Sequence, residues 1–154
     1  MSRIVIVGGH GKVALLLAPI LAERGDDVIS LIRDPDQSAD IVASGATPLI
    51  LSVEEASTEE LANAFAGADA IVWSAGAGGK GGPDRTDAVD RVAAIRSMDA
   101  ASRAGVRRYL MVSWVGSHGD DPVPADHPLR AYAIAKLAAD RHLMGTDLEW
   151  TILG

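Results

Sequence analysis

Two groups of residues in this chain have types and spacings suited to chemistry. In the run RAYAIAKLAADRHL, Tyr132 and Lys136 stand four apart, which places them on one face if the run is helical. A phenol titrates at about 10 and is a poor acid or base at neutral pH, but a nearby ammonium favours its phenolate. Tyr132 is therefore a candidate proton donor or acceptor. Lysine is scarce, confined to Lys12, Lys80 and Lys136. Ser113 closes an apolar run and is placed to hydrogen-bond a substrate oxygen. Ser113, Tyr132 and Lys136 together suit charge stabilisation on a carbonyl oxygen while a hydride arrives. The competing reading makes Tyr132 and Lys136 ordinary residues of an amphipathic helix.

The second group is a glycine loop. In IVIVGGHGKVALLLAPIL, Gly8, Gly9 and Gly11 separate an apolar run from a helical one. Glycine permits a sharp turn, its missing side chain lets a diphosphate approach the backbone, and free helix N–H groups meet negative charge. Ala14 takes the place of a third glycine and is small enough for close helix–sheet packing. These features point to a bound dinucleotide rather than a bare turn. His10, inside the loop, reads as a solvent-facing neighbour of the phosphates.

The end of the next apolar run discriminates between cofactors. A carboxylate there would bind ribose hydroxyls and favour NAD. The run DDVISLIRDP ends instead in Arg33, whose guanidinium can pair bidentately with a 2'-phosphate, so NADP is favoured over NAD. The alternative is a surface Arg33 paired to Asp34 or Asp36. Ser52 and Val53 are placed to border the adenine, Ser74, Ala75 and Gly76 to floor the riboses, and Lys136 to hold the nicotinamide ribose. Among the three tryptophans, Trp114 is the one expected to face a ligand. His118, Asp120, Asp121, Asp126 and His127 lie in a Pro-rich loop without helical spacing to converge them. They read as a solvated acidic loop, and no metal is expected.

The elements that must position these groups follow from apolar periodicity. Nearly continuous apolar runs at 4–7, 28–32, 47–51, 70–73, 109–112 and 148–153 mark parallel strands buried on both faces. Helical patterns fill 13–24, 58–65, 85–104 and 132–143. Ser57 and Glu60 have capping-box spacing, and Asp87–Arg91 and Asp99–Arg103 are i,i+4 pairs. Strands alternating with helices predict an α/β protein with a doubly wound parallel sheet and helices on both faces. The irregular stretches 76–83 and 116–128 both follow strand ends, where such sheets place ligands.

The chain has 154 residues, 48% of them apolar, no Cys, and 14 basic against 21 acidic side chains for a formal charge of -7. That is the size of one domain. The negative balance argues against a nucleic-acid groove. The missing Cys excludes disulfides and thiolate catalysis. No run of 18 apolar residues marks a membrane span, and no signal peptide is apparent, so a cytoplasmic protein is expected. Residues 1–154 read as one dinucleotide-binding domain lacking a C-terminal substrate-binding segment.

With these residues in place, the chain resembles the short-chain dehydrogenase/reductases, in their small atypical NAD(P)H-binding, NAD-dependent epimerase/dehydratase-like branch. Flavin and biliverdin reductases and NmrA-like redox sensors are relatives there. Gly8-Gly9-His10-Gly11-Lys12-Val13-Ala14 matches the family's glycine loop, and Arg33 its 2'-phosphate position. AASRAGVRRYLMVS leads to the active-site Ser113, and Tyr132 and Lys136 fall on the catalytic Tyr and Lys. Ser52 departs from a common Asp, and Trp114 replaces a small residue. The resemblance implies a Rossmann-type sheet of order 3-2-1-4-5-6. It also implies cofactor contacts from Gly8, Gly9, His10, Gly11, Lys12 and Val13. The expected activity is an NADP(H)-dependent oxidoreductase or epimerase-like enzyme on a small carbonyl, quinone or flavin-type acceptor. The alternative is a non-catalytic NADP(H) sensor. A small-molecule substrate is expected, with no nucleic-acid or membrane partner, in a monomer or homodimer.

Overall fold

The computed structural model describes residues 1–116 and 123–154. Its elements run β1 (Arg3–Val7), α1 (Lys12–Glu23), β2 (Asp27–Ile32), α2 (Ser38–Ala43), β3 (Thr47–Ile50), α3 (Thr58–Phe65), β4 (Ala70–Trp73), α4 (Gly82–Thr86), α5 (Ala94–Arg103), β5 (Arg108–Val112), α6 (Arg130–Met144) and β6 (Glu149–Leu153). The six strands are parallel and lie in the order β3-β2-β1-β4-β5-β6. This is the expected Rossmann-type order.

Alternation along each strand builds two cores. Val5, Val7, Ile29, Leu31, Ile71, Trp73, Tyr109 and Met111 face α3, α5 and α6, where Phe65, Leu61, Met98 and Leu143 meet them. Ile4, Ile6, Val28, Ile32 and Val72 face the other way onto Ala14, Ala18 and Leu21 of α1 and Ile41 of α2. Each large aliphatic side chain so buried contributes roughly 1.5–3 kcal/mol. A polar pair sits in the first core: Ser97 Oγ and the Tyr109 hydroxyl lie 2.6 Å apart. α3 starts as its sequence indicates, with Ser57 and Glu60 closing a reciprocal capping box.

Two features differ from the expected layout. A short 3-10 turn at Pro35–Gln37 and α2 follow β2, where no helix was expected. The long helix at 85–104 runs instead from Gly82 to Arg103 and contains a π-helical segment, Asp87–Ala93. The Asp87–Arg91 pair forms within it at 2.5 Å, while Asp99 meets His142 of α6 at 3.4 Å. Among the described residues no helix is long and apolar enough to cross a membrane.

Register brings the loops together. Val7 is level with Leu31 on one side and Trp73 on the other, and Trp73 is level with Met111. The segments leaving β1, β2 and β4 therefore emerge side by side at the carboxyl edge. The connections leaving the adjacent strands β1 and β4 pass to opposite faces, α1 to one and α5 to the other, which opens the crevice typical of such sheets.

Candidate functional site

Gly8 leaves β1 with φ +80, and a Cβ there would lie 2.5 Å from the Ala75 Cα. Gly9 donates to the Leu31 carbonyl at 2.8 Å, and its own Cβ would lie 2.5 Å from Ser30 Cβ. The loop is thus pressed between the ends of β2 and β4, which only glycine permits. Gly11 caps α1 without a side-chain hydrogen bond, and the first turn carries no acidic residue. The helix opens with its partial positive charge directed at the crevice.

Two adjoining cavities occupy the crevice. The first, of about 350 Å³, is lined by Gly8, Gly9, His10, Gly11, Arg33, Ser52, Val53 and Ser74, among others. The second, of about 650 Å³, is lined by Lys12, Val13, Ser113, Tyr132 and Lys136 together with Asp90, Thr86 and Leu129. Gly11, Ser74, Ala75, Gly76 and Gly78 border both, so the two form one continuous cleft. The residues that sequence reasoning marked for catalysis and cofactor contact lie along it, whereas Trp114, expected to face a ligand, does not.

The side chains within the cleft are engaged in ways that spacing did not reveal. Lys136, 1% exposed, donates to the Val112 carbonyl at 2.9 Å and lies 3.3 Å from the Met111 sulfur. Burial pulls its ammonium below the usual lysine range, with Asp140 and Asp90 opposing. Tyr132 moves the other way: burial first, then the Asp90 and Asp140 carboxylates, push its phenol above its ordinary value. The phenolate expected from a neighbouring ammonium is not favoured here. Tyr132 is held as a protonated donor. Ser113, on the wall of the second cavity, directs its hydroxyl proton to Asp140 Oδ2 at 2.5 Å, which leaves its oxygen as an acceptor. Trp114 is absent from the cavity linings and meets the Tyr132 ring edge-on at 5.9 Å.

Arg33 points into the first cavity and lies 3.5 Å from Glu54. The Asp34 carboxylate accepts from the Asp36 backbone N–H at 3.0 Å. His10 contacts Asp40 of α2 at 2.8 Å. His118, Asp120 and Asp121 lie outside the described residues. His127 uses Nδ1 to accept from the Leu129 backbone N–H. No metal-ligand cluster occurs among the described residues.

Sequence reasoning passed over Asp90, Asp140, Glu54 and Arg85. Asp90 lies in the π segment, 2% exposed, and its Oδ2 accepts from the Ala77 N–H at 3.1 Å. It ties the glycine-rich strap 76–82 to the helix, and the Gly76 position leaves room for it. Burial raises its carboxyl above the usual range, against the Ala77 bond and Lys136. A raised carboxyl adds stability that is complete below the unfolded pKa and is lost as pH rises through the folded one. Asp90→Asn retains an acceptor for Ala77 and removes this loss. Its stability relative to wild type is expected to grow as pH rises above the ordinary carboxyl range, measured by urea denaturation. An offset independent of pH would mean that Asp90 does not carry this charge.

The comparisons show the family. The family model described as NAD(P)H-binding matches residues 8–154. The Bacillus subtilis protein YhfK, an uncharacterized protein named as a sugar epimerase, is 33% identical over 98% of this chain and 70% of its own. A Bacillus halodurans structure named provisionally as an NAD-dependent epimerase/dehydratase superposes with a TM-score of 0.89. It is 33% identical over 99% of this chain and 69% of that one. The Bordetella bronchiseptica enzyme WbmG, solved with NAD and UDP, gives a TM-score of 0.78 and 25% identity over 98% of this chain and 52% of that one. The chain belongs to the NAD(P)H-binding family, and its structural neighbours are epimerase/dehydratase-like proteins.

Proposed function

We propose that the chain is an NADP(H)-dependent oxidoreductase or epimerase-like enzyme acting on a small carbonyl, quinone or flavin-type acceptor, with Tyr132 as its proton donor. The observation that carries this reading is the continuous cleft, which joins the glycine loop and Arg33 at one end to Tyr132 and Lys136 at the other. A dinucleotide suits these residues. The loop is a cradle that any Cβ at Gly8 or Gly9 would fill, and α1 opens onto it uncapped. That the neighbour WbmG was solved with NAD supports a dinucleotide as the ligand class. A bound nicotinamide would supply or accept the hydride equivalent.

The chain's own residues do the rest. Tyr132 holds a proton at its hydroxyl for transfer to the acceptor oxygen. Lys136, fixed by the Val112 carbonyl, keeps positive charge beside the cleft. Ser113, with its proton directed at Asp140, accepts a hydrogen bond from a substrate hydroxyl and so orients it. Arg33 supplies the guanidinium for a 2'-phosphate. Spectroscopic oxidation of NADPH with quinones, flavins and small carbonyls tests the reading, and turnover with at least one acceptor class is expected. Arg33→Ala is expected to weaken NADP by about tenfold while leaving NAD unchanged, since only NADP carries the extra phosphate. Equal losses would remove the preference for NADP.

A regulatory reading draws on two contacts, the Ser113 proton committed to Asp140 and the Lys136 ammonium committed to Val112. Tight binding of NADPH with no turnover on any acceptor would favour that sensor over the enzyme.

A further inference from the structure

The adenosine end of the cleft holds a charge arrangement that the proposed reaction does not require. Arg33 enters it from the end of β2, Glu54 from the β3–α3 loop, Lys80 from the strap and Arg85 from α4. Glu54 lies between two guanidiniums that share it unequally. Arg85 donates from Nε to Oε1 and from Nη2 to Oε2, both at 3.1 Å. This is the fork geometry that makes an arginine–carboxylate pair strong. Arg33 Nη1 is 3.5 Å from Oε2, at the limit of a hydrogen bond, and the Arg33 side chain is 57% exposed against 23% for Arg85.

Separate elements hold this arrangement in place. Arg96 of α5 donates from Nη1 to the carbonyls of Val53, Glu54 and Ala56 at 3.3, 3.3 and 2.9 Å, which fixes the loop carrying Glu54. Gly81, at φ +85, leaves room for the Arg85 stem, because a Cβ there would lie 2.5 Å from Arg85 Cδ. Glu54 is therefore held chiefly by Arg85, and its longer contact with Arg33 is the one a ligand can displace.

We propose that Arg85 sets the selectivity for an adenosine 2'-phosphate by taking most of the Glu54 carboxylate, which leaves Arg33 only the weaker 3.5 Å contact. The proposal rests on the dinucleotide reading above. Without Arg85, Glu54 turns to Arg33 and cancels its charge. A phosphate monoester then meets a carboxylate, whereas the 2'-hydroxyl of NAD meets an acceptor to which it can donate. The two cofactors thus respond differently to one change. Arg85 acts through Glu54 and is a positioning residue.

The test is calorimetric titration of NADP and NAD into the full chain, its Arg85→Ala and Glu54→Gln variants, and the double variant. Arg85→Ala is expected to lower NADP affinity by about tenfold, the scale of one unit charge near a phosphate in a partly hydrated site. NAD affinity is expected to hold or rise. The double variant is expected to restore the wild-type ratio of the two affinities, because the amide introduced by Glu54→Gln carries no charge to release. The ratio is taken within each variant, so a general loosening of the strap lowers both cofactors together and does not imitate the effect. Equal losses for NADP and NAD, or a ratio that Glu54→Gln does not restore, overturns the proposal and leaves the dinucleotide reading standing. A wild-type chain that binds neither nucleotide overturns both.

Discussion

Gly8→Ala is expected to lower affinity for a dinucleotide by about a hundredfold, equivalent to about 2.7 kcal/mol. Two costs combine. A non-glycine residue at φ +80 pays roughly 1–2 kcal/mol for the left-handed conformation, and the new Cβ would stand 2.5 Å from the Ala75 Cα. That neighbour is backbone and cannot rotate aside. The loop after β1 must separate from the loop after β4, and the amides of α1 move with it. Calorimetry with NADPH measures the loss, and circular dichroism establishes that the sheet persists. A variant that folds and binds as wild type does would show that the glycine turn does not form the phosphate cradle.

Tyr132→Phe is expected to reduce turnover by about a hundredfold or more, the usual contribution of a placed proton donor, with cofactor affinity unchanged. The direction of its pKa sharpens this expectation. Burial and the two carboxylates hold the phenol above its ordinary value, so the donor remains protonated throughout the neutral range. Reduction is therefore expected to proceed without a fall between about pH 6 and about pH 9. The opposite reaction, which needs Tyr132 as a base, gains no such advantage. A decline with a neutral midpoint that disappears in the phenylalanine variant would contradict the donor assignment. Undiminished turnover in that variant would contradict it as well, while leaving reductase activity in place.

Much of this architecture was legible in the sequence because parallel strands buried on both faces write themselves as unbroken apolar runs. Ile4 to Val7 and Ala70 to Trp73 are clear cases. The glycine loop was legible because a close backbone approach excludes side chains. α2 was not, since only Ile41 of its six residues is buried and one apolar position sets no period. Asp90 was hidden for a related reason. It sits between Asp87 and Arg91, whose pairing marks a wet helical face, and the turn that directs it inward leaves no compositional trace. Glu54 and Arg85 are 31 residues apart, so no local spacing could join them. Arg33 was recognisable from its strand end, but the carboxylate opposite it belongs to another loop.

The wide turn at Asp87–Ala93 divides the labour of one rod. Past it, Ala94, Met98 and Ala101 keep α5 seated in the interior. Before it, the same rod presents a polar hand to the cleft without disturbing that seat. A uniform winding would oblige the two ends to share one orientation. The offset turn uncouples them, so the cleft wall can be retuned by substitution while its anchorage stays unaltered.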